Sequence, residues 1–307
     1  MATSLTSPAL VFATDKAIIA ARRALAKVSV FATDFSADAV QPGSTMKIPV
    51  FTPSAAADFN ASSNNYATAD GSVTWASVTF GHHVKHTFQF DDKDFTLVNG
   101  TNFWANAGRA SGNAIAKAIL SAVSGLINRT AIPKSAANEA VLAAITKKDA
   151  IANLRAQCDT ADIDPAETVL MLSPTYFAAL LAQLDANLYG GPSAIREGVI
   201  DGLYGFKAVI ENGALTTATG ENLVGALIPT DGLAVAGRTV PVLSPNVYEE
   251  IGQTRDEVSG LVIGARRHGD PATGANYLTH EALFGAALVQ PTKCVRLVSS
   301  ATADSQG

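Results

Sequence analysis

Alternation is strongest between Ser72 and Phe90. The stretches "SVTWASVTF" (72–80) and "VKHTFQF" (84–90) put aromatic and β-branched residues on a two-residue period, as strands with one covered face do. Gly81 stands between them, so the pair predicts a long two-stranded ribbon with its bend there. Over 101–129 the period becomes helical. Trp104, Gly108, Ser111 and Ile115 fall on one stripe, continued by Ile119, Ala122, Val123 and Leu126. Thr101 or Asn102 is the expected N-cap. Small residues at 107, 108, 110, 111, 112 and 114 leave room for another backbone to come close. A further amphipathic helix is predicted over 9–30, where Ile18, Ile19, Ala21, Arg22, Leu25 and Val28 mix apolar and basic positions.

The remaining pattern is a mixture. "QPGSTMKIPVFTP" places turn residues on both sides of a short strand, and 54–71 is small, polar and without a core period. "KKDAIANLRAQCDT" reads as helix and "ETVLMLS" as a buried strand. "SPTYFAALLAQLDA" opens a helix with Ser173 as cap and Pro174 at the first turn. After the glycine-rich "LYGGPSAIREG", short strands follow around "GVIDGLYGFKAVIENGAL", "NLVGALIP", "GLVIGARRHGD", "NYLTHEALFGAALVQP" and "TKCVRLVSS". No internal repeat occurs.

Composition narrows the class. With 307 residues, 48% hydrophobic and 16% charged, the chain can bury a large core and is not disordered over most of its length. Two cysteines, Cys158 and Cys294, are too few for a disulfide framework. No basic segment precedes an apolar one at the N-terminus, and no apolar run approaches a membrane span. Charge is unevenly spread: residues 146–274 carry −7, the rest +2, and 101–129 holds Arg109, Lys117 and Arg129 without an acid.

Candidate chemistry is thin. No dinucleotide fingerprint, phosphate-binding loop, nucleophile elbow or zinc-knuckle spacing is present. "GHHVKHTFQFDDKD" (81–94) gathers three histidines and three aspartates. On a strand, His82 and His86 share a face with Cα atoms about 13 Å apart, too far for one metal, and His83 points the other way. Asp91, Asp92 and Asp94 then cap or solvate the strand end. "GARRHGD" (264–270) reads as an exposed joining loop ahead of an anion cradle, and Arg22, Arg23 and Lys27 as a solvated helix face ahead of a nucleic-acid contact. No catalytic, cofactor-binding or metal-binding residue is expected.

The order of elements carries more than any motif. A short arm, a long polar-tipped ribbon, one long helix, a mixed middle and returning strands resemble the major capsid proteins of tailed bacteriophages, of the Hong Kong 97-type fold also found in encapsulins. "GSTMKIPVF" resembles the strand entering that family's extended loop and "VKHTFQFDDKDF" its return into the spine helix. "TVLMLSPTYFAALLAQ" with "GVIDGLYGFKAVIENGAL" resembles its strand–Ser/Pro–helix and glycine-bounded strands, and "ALFGAALVQPTKCVRLV" its closing strands.

The resemblance implies an α+β fold with an N-terminal arm (1–45), an extended β-ribbon loop (46–95), a peripheral domain with the spine helix (96–145 and 275–300), an α/β axial domain (146–274) and a C-terminal tail (301–307). It implies self-assembly as pentamers and hexamers into an icosahedral shell around double-stranded phage DNA, located in the virion and assembled in the host bacterial cytoplasm. Trp75, Phe80 and Phe88 on the ribbon would be interface anchors, with Ile18, Arg22 and Leu25 of the arm lying along a neighbour. Arg109, Lys117 and Arg129 would face interior DNA. Only about 45 residues precede the first strand, so a separate scaffolding protein is expected, with a portal and a possible decoration protein as further partners and no membrane. No lysine lies between Lys47 and Lys85, so the shell is expected to be held noncovalently. Two other readings remain open: an encapsulin-like shell around a protein cargo, and a cytosolic α/β enzyme using His82, Asp92 and Arg266.

Overall fold

The computed structural model describes residues 8–34, 45–53, 71–91, 100–145, 149–183, 199–215, 221–242, 247–256, 260–270 and 272–300. Expectations for the polar segment 54–70, Asp92, Asp94, the glycine-rich 188–198 and the tail 301–307 lie outside the described residues.

Helix α1 (Pro8–Leu25) and a single turn α2 (Val28–Phe31) lead to the two-residue β1 (Thr33–Asp34). Strands β2 (Thr45–Pro53), β3 (Gly71–Thr79) and β4 (His82–Asp91) precede the long α3 (Gly100–Ser124) and the short β5 (Glu139–Val141). Next come α4 (Asp149–Thr160), β6 (Thr168–Leu172), α5 (Pro174–Gln183), β7 (Val199–Asp201) and β8 (Ala208–Glu211). The chain closes with β9 (Leu223–Pro229), β10 (Leu233–Arg238), β11 (Glu250–Arg255), β12 (Val262–Asp270), β13 (Ala275–Leu288) and β14 (Val295–Val298). Pro174 starts α5 as its sequence predicts, whereas α3 is already under way at Gly100, so Thr101 and Asn102 lie inside that helix.

The first sheet is built on β13. Leu283 and Phe284 pair with both β4 and β10, which puts those strands on opposite edges. β12 takes the β10 side over residues 275–281 of β13, β11 follows β12, and β1 lies parallel to β10. The second sheet runs β5-β14-β9-β6-β8-β7. Every residue of β6 is buried, because Leu170 and Leu172 face α4 and α5 while Val169 and Met171 face the core around α3. The C-terminal half of α3 is wedged between the sheets: Ile115, Ile119 and Val123 share one cluster with Phe284 and Ile263 of the first and Ile210 and Ile228 of the second. Each such side chain, fully buried, is worth roughly 1.5–3 kcal/mol.

These sheets divide the chain differently from the expected domain boundaries. β10, β11 and β12, assigned by sequence to an axial domain, join β13 and β4. The tight turn after Asp270, with Gly274 at φ 67°, makes β12 and β13 a hairpin that must share a sheet. β5 and β14 go to the second sheet instead, where Val295 and Leu297 alternate into the α4–α5 cluster. The expected ribbon is also re-paired. β3 lies antiparallel to β2, not to β4, and the chain crosses from one sheet to another at Phe80–Gly81.

Residues 8–34 do not form a free arm. α1 lies on α3, with Leu10, Ala13, Ala17 and Ala21 buried, and Gly108 and Gly112 facing the backbone of Ala13 and Ala17 with no room for a β-carbon. The small residues read from the sequence thus receive α1 itself. Arg22 pairs with buried Asp256, Lys27 Nζ stands 3.2 Å from Glu211 Oε2, and Thr33 Oγ1 donates to the Thr230 carbonyl at 2.7 Å.

A buried ion cluster ties β14 to β5 and to the entrance of β9. Arg296 has no solvent exposure, and its two terminal nitrogens each stand 3.2 Å from a carboxylate, Glu139 and Glu221. Lys134 adds a second cation to Glu139 at 3.4 Å. Such a cluster is costly to break once formed, because a lone partner would be left charged in the interior.

Candidate functional site

Phe51, Val73 and Trp75, three large apolar side chains that are exposed, lie together on the β2–β3 ribbon. Register places Pro49 opposite Trp75 and Phe51 opposite Val73, and opposed residues share a face. The inward face carries Ile48, Val50 and Val78, all buried, and Ile48 and Val78 pack with Ala234 and Ala236 of β10. The outward face carries Phe51 at 69% exposure, Trp75 at 62% and Val73 at 50%. A two-stranded ribbon with an apolar outer face is poorly stabilised alone and well suited to lie on another surface. A cleft of about 280 Å³ runs beneath it, lined by Thr33, Ile48, Phe51, Asp231, Leu233 and Val289.

Of the three aromatic residues expected as contacts, Trp75 is the one turned to solvent. Phe80 is half-buried under the Arg238 guanidinium, 5.5 Å from its ring centre. Phe88 is half-buried against His86, with ring centres 4.8 Å apart, and joins the Trp104 cluster. Phe51 and Val73 were missed. Their side of the ribbon becomes readable only once β2 is known to be the partner of β3.

The three α1 residues expected at a neighbouring subunit are placed differently. Ile18 and Leu25 are each 6% exposed and sit in this subunit's own core, because the helix buries the stripe that meets α3. Arg22 is half-exposed and held by Asp256. Ile19, on the opposite side, is the apolar α1 residue that faces solvent.

The outer side of α3 is basic and amide-rich. Arg109 and Lys117, eight residues apart, are exposed on it with Asn102, Asn106, Asn113 and Ser121, and the helix contains no acid. Arg129 is not on this surface. It follows the helix, half-buried, and its backbone N–H donates to Glu221 Oε1 at 2.9 Å.

The histidine-rich stretch is β4, and its side chains serve separate contacts. His82 stacks on Phe284 with ring centres 5.0 Å apart, and His86 Nδ1 lies 3.2 Å from Ser111 Oγ of α3. His83, on the other face, lies 2.9 Å from Glu281 Oε2, whose second oxygen accepts from Arg266 Nε at 2.5 Å. Arg266 also reaches Tyr248 Oη at 3.1 Å. His82 and Arg266 therefore stand on opposite faces of the sheet, so the enzyme reading's His82–Arg266 pair is not assembled. "GARRHGD" is strand β12, not a joining loop, and Arg267 beside it faces Glu249 and Glu250. Among the described residues no group of three or more metal-ligating side chains comes together. Cys158 and Cys294 are free and buried in different clusters, and burial pushes their thiols up to about 11 and about 12.

No protein-family model matches the chain, and no curated protein matches it. Solved structures do. The capsid structure of the cyanophage P-SCSP1u superposes with a TM-score of 0.52 at 12% identity, covering 87% of this chain and 86% of that one. The mature capsid of bacteriophage PhiM1 gives 0.52 at 12% identity over 83% and 82%. A virus-like particle from Pyrococcus furiosus gives 0.52 at 11% identity over 93% and 97%.

The chain has the phage capsid fold.

The likeness covers more than four fifths of this chain and of each of the three solved chains. Within that capsid fold, the exposed features described above are surfaces and not pockets. An apolar ribbon face, a basic helix side and a polar sheet face can each meet another macromolecule.

Proposed function

We propose that the chain is the major capsid protein of a tailed bacteriophage, self-assembling as pentamers and hexamers into an icosahedral shell around double-stranded DNA. The observation that carries this reading is the exposed apolar ribbon on a chain that shares its fold, over more than four fifths of its length, with capsid chains. The outward face of β2–β3, with Phe51, Val73 and Trp75, lies on an adjacent subunit. Burying those three side chains contributes roughly 1.5–3 kcal/mol each per contact, and a closed shell repeats that contact at every subunit. The basic outer side of α3, with Arg109 and Lys117, faces the interior, where phosphate charge needs neutralising. The subunit acts as a structural element and not as an enzyme. A scaffolding protein, a portal and a decoration protein are its expected partners, and the virion is its place.

A second reading is favoured by one observation: the likeness to the Pyrococcus furiosus particle covers more of both chains than the two phage capsids do. On that reading the shell encloses a protein cargo. Particles purified from the native source decide between them. Nuclease-resistant double-stranded DNA supports the capsid, while a stoichiometric second protein without nucleic acid supports the compartment.

A further inference from the structure

His280 is wholly buried in β13, yet neither ring nitrogen has a hydrogen-bond partner among the described residues. A neutral imidazole already carries one donor and one acceptor, so this ring forgoes both bonds inside the protein. Its direct partner across the sheet is His86 of β4, and both rings point toward the layer formed by α1 and α3. The hydroxyl that α3 presents at this point, Ser111 Oγ, is taken by His86 at 3.2 Å. Two histidines thus stand side by side in one seam, and only His86 has a polar partner there.

Among the described residues no carboxylate hydrogen-bonds to His280. The buried side chains clustered along this seam are apolar, among them Ala107 of α3, Leu10 and Ala13 of α1, Ala265 of β12 and Leu278 of β13. Arg267 shares this face further along β12, where it is matched by Glu249 and Glu250. Asp15 and Arg109 are exposed on the outer sides of the helices and Lys16 is half-exposed. Glu281, Arg266, His83 and Lys85 belong to the opposite face of the sheet. A proton on His280 would add a charge and a second unmatched donor, with His86 as its nearest titratable neighbour.

We propose that the contact of α1 and α3 with the first sheet is a proton-sensitive latch, closed while His280 is neutral and opened by acid. Burial, and then His86, hold the His280 imidazole down at about 4 against an ordinary value of 6.5. A depressed value means that docking is fully stable above pH 6.5 and weakens as pH falls from there to about 4, by about tenfold per pH unit. The latch belongs to the subunit itself and does not depend on the shell reading.

Trp104 of α3 reports on the seam, because it is 7% exposed and packs edge-on against Phe90 of β4 with ring centres 5.6 Å apart. Acrylamide quenching of the full-length subunit, measured from pH 7 to pH 4, separates this shielded component from exposed Trp75. In the unmodified protein the shielded component should become accessible as pH falls below about 6. In His280→Gln and His280→Leu, either of which suffices if the other does not fold, it should stay shielded at least a full pH unit lower. Loss of shielding at the same pH in all three proteins, or already at pH 7 in both variants, would overturn the proposal.

Discussion

Gly108 of α3 meets the backbone carbonyl of Ala13 in α1 so closely that a single added methyl group would overlap it. Ala17 and Gly112 repeat the contact one turn further on. In most helix interiors alanine is more stable than glycine by about 1 kcal/mol. Here the sign should invert, since the obstructing atoms are backbone and cannot swing aside. Gly108→Ala is expected to destabilise the subunit by about 1–3 kcal/mol. Urea unfolding followed by circular dichroism checks this, and a stabilised variant would refute the packing.

That seam also shows what the sequence made legible. The small residues at 107–114 announce a close backbone approach and the Trp104–Ile119 stripe announces burial, and both are found. What occupies the seam was not legible: Ala13 and Ala17 say only that α1 is amphipathic, so α1 read as an arm for a neighbour. Strand pairing failed for a related reason. Alternation in 72–80 and 84–90 establishes two faces for each strand but not its partner, since a period of two fits any register. The partner of β3 was fixed by Ile48 and Val50 of β2, far back along the chain, and that of β4 by β13, nearly two hundred residues ahead. Of the candidate surface, Trp75 was readable as an exposed aromatic on a ribbon, while Phe51 was hidden by the mispairing.

Trp75 is expected to act between subunits and not within one. Trp75→Asp should leave far-UV circular dichroism and the urea midpoint close to those of the unmodified protein, because the side chain is 62% exposed. Light scattering under assembly conditions should show that it forms no closed shells. Phe88→Asp, by contrast, should unfold the subunit, as Phe88 packs with the Trp104 cluster. Normal shells from Trp75→Asp would refute the interface assignment.

Arg296 holds two carboxylates at once, and its removal leaves Glu139 and Glu221 facing each other in the interior. Arg296→Ala should cost about 3–5 kcal/mol. Glu221→Gln, which keeps a hydrogen-bond acceptor on Arg296, should cost clearly less. Equal losses from the two, measured by urea unfolding, would show that the cluster does not act as a charge pair.

Arg109 and Lys117 share the exposed side of α3, whereas Arg129 lies apart from them. The double variant Arg109→Gln/Lys117→Gln should therefore weaken binding of double-stranded DNA. The slope of log affinity against log salt concentration should shrink by about 2. Neither residue packs in the core, so subunit stability should not change. Arg129→Gln alone should leave the slope nearly unchanged. Fluorescence anisotropy with a labelled duplex measures both.

The central claim is that this chain closes into a shell, and electron microscopy of the protein expressed alone, with mass photometry of the same sample, tests it most directly. Closed particles, or rings of five and six subunits, are the predicted result. On a denaturing gel they should run as a single band of 31.7 kDa, as noncovalent assembly requires. A protein that stays monomeric at high concentration and with crowding agent would contradict the account.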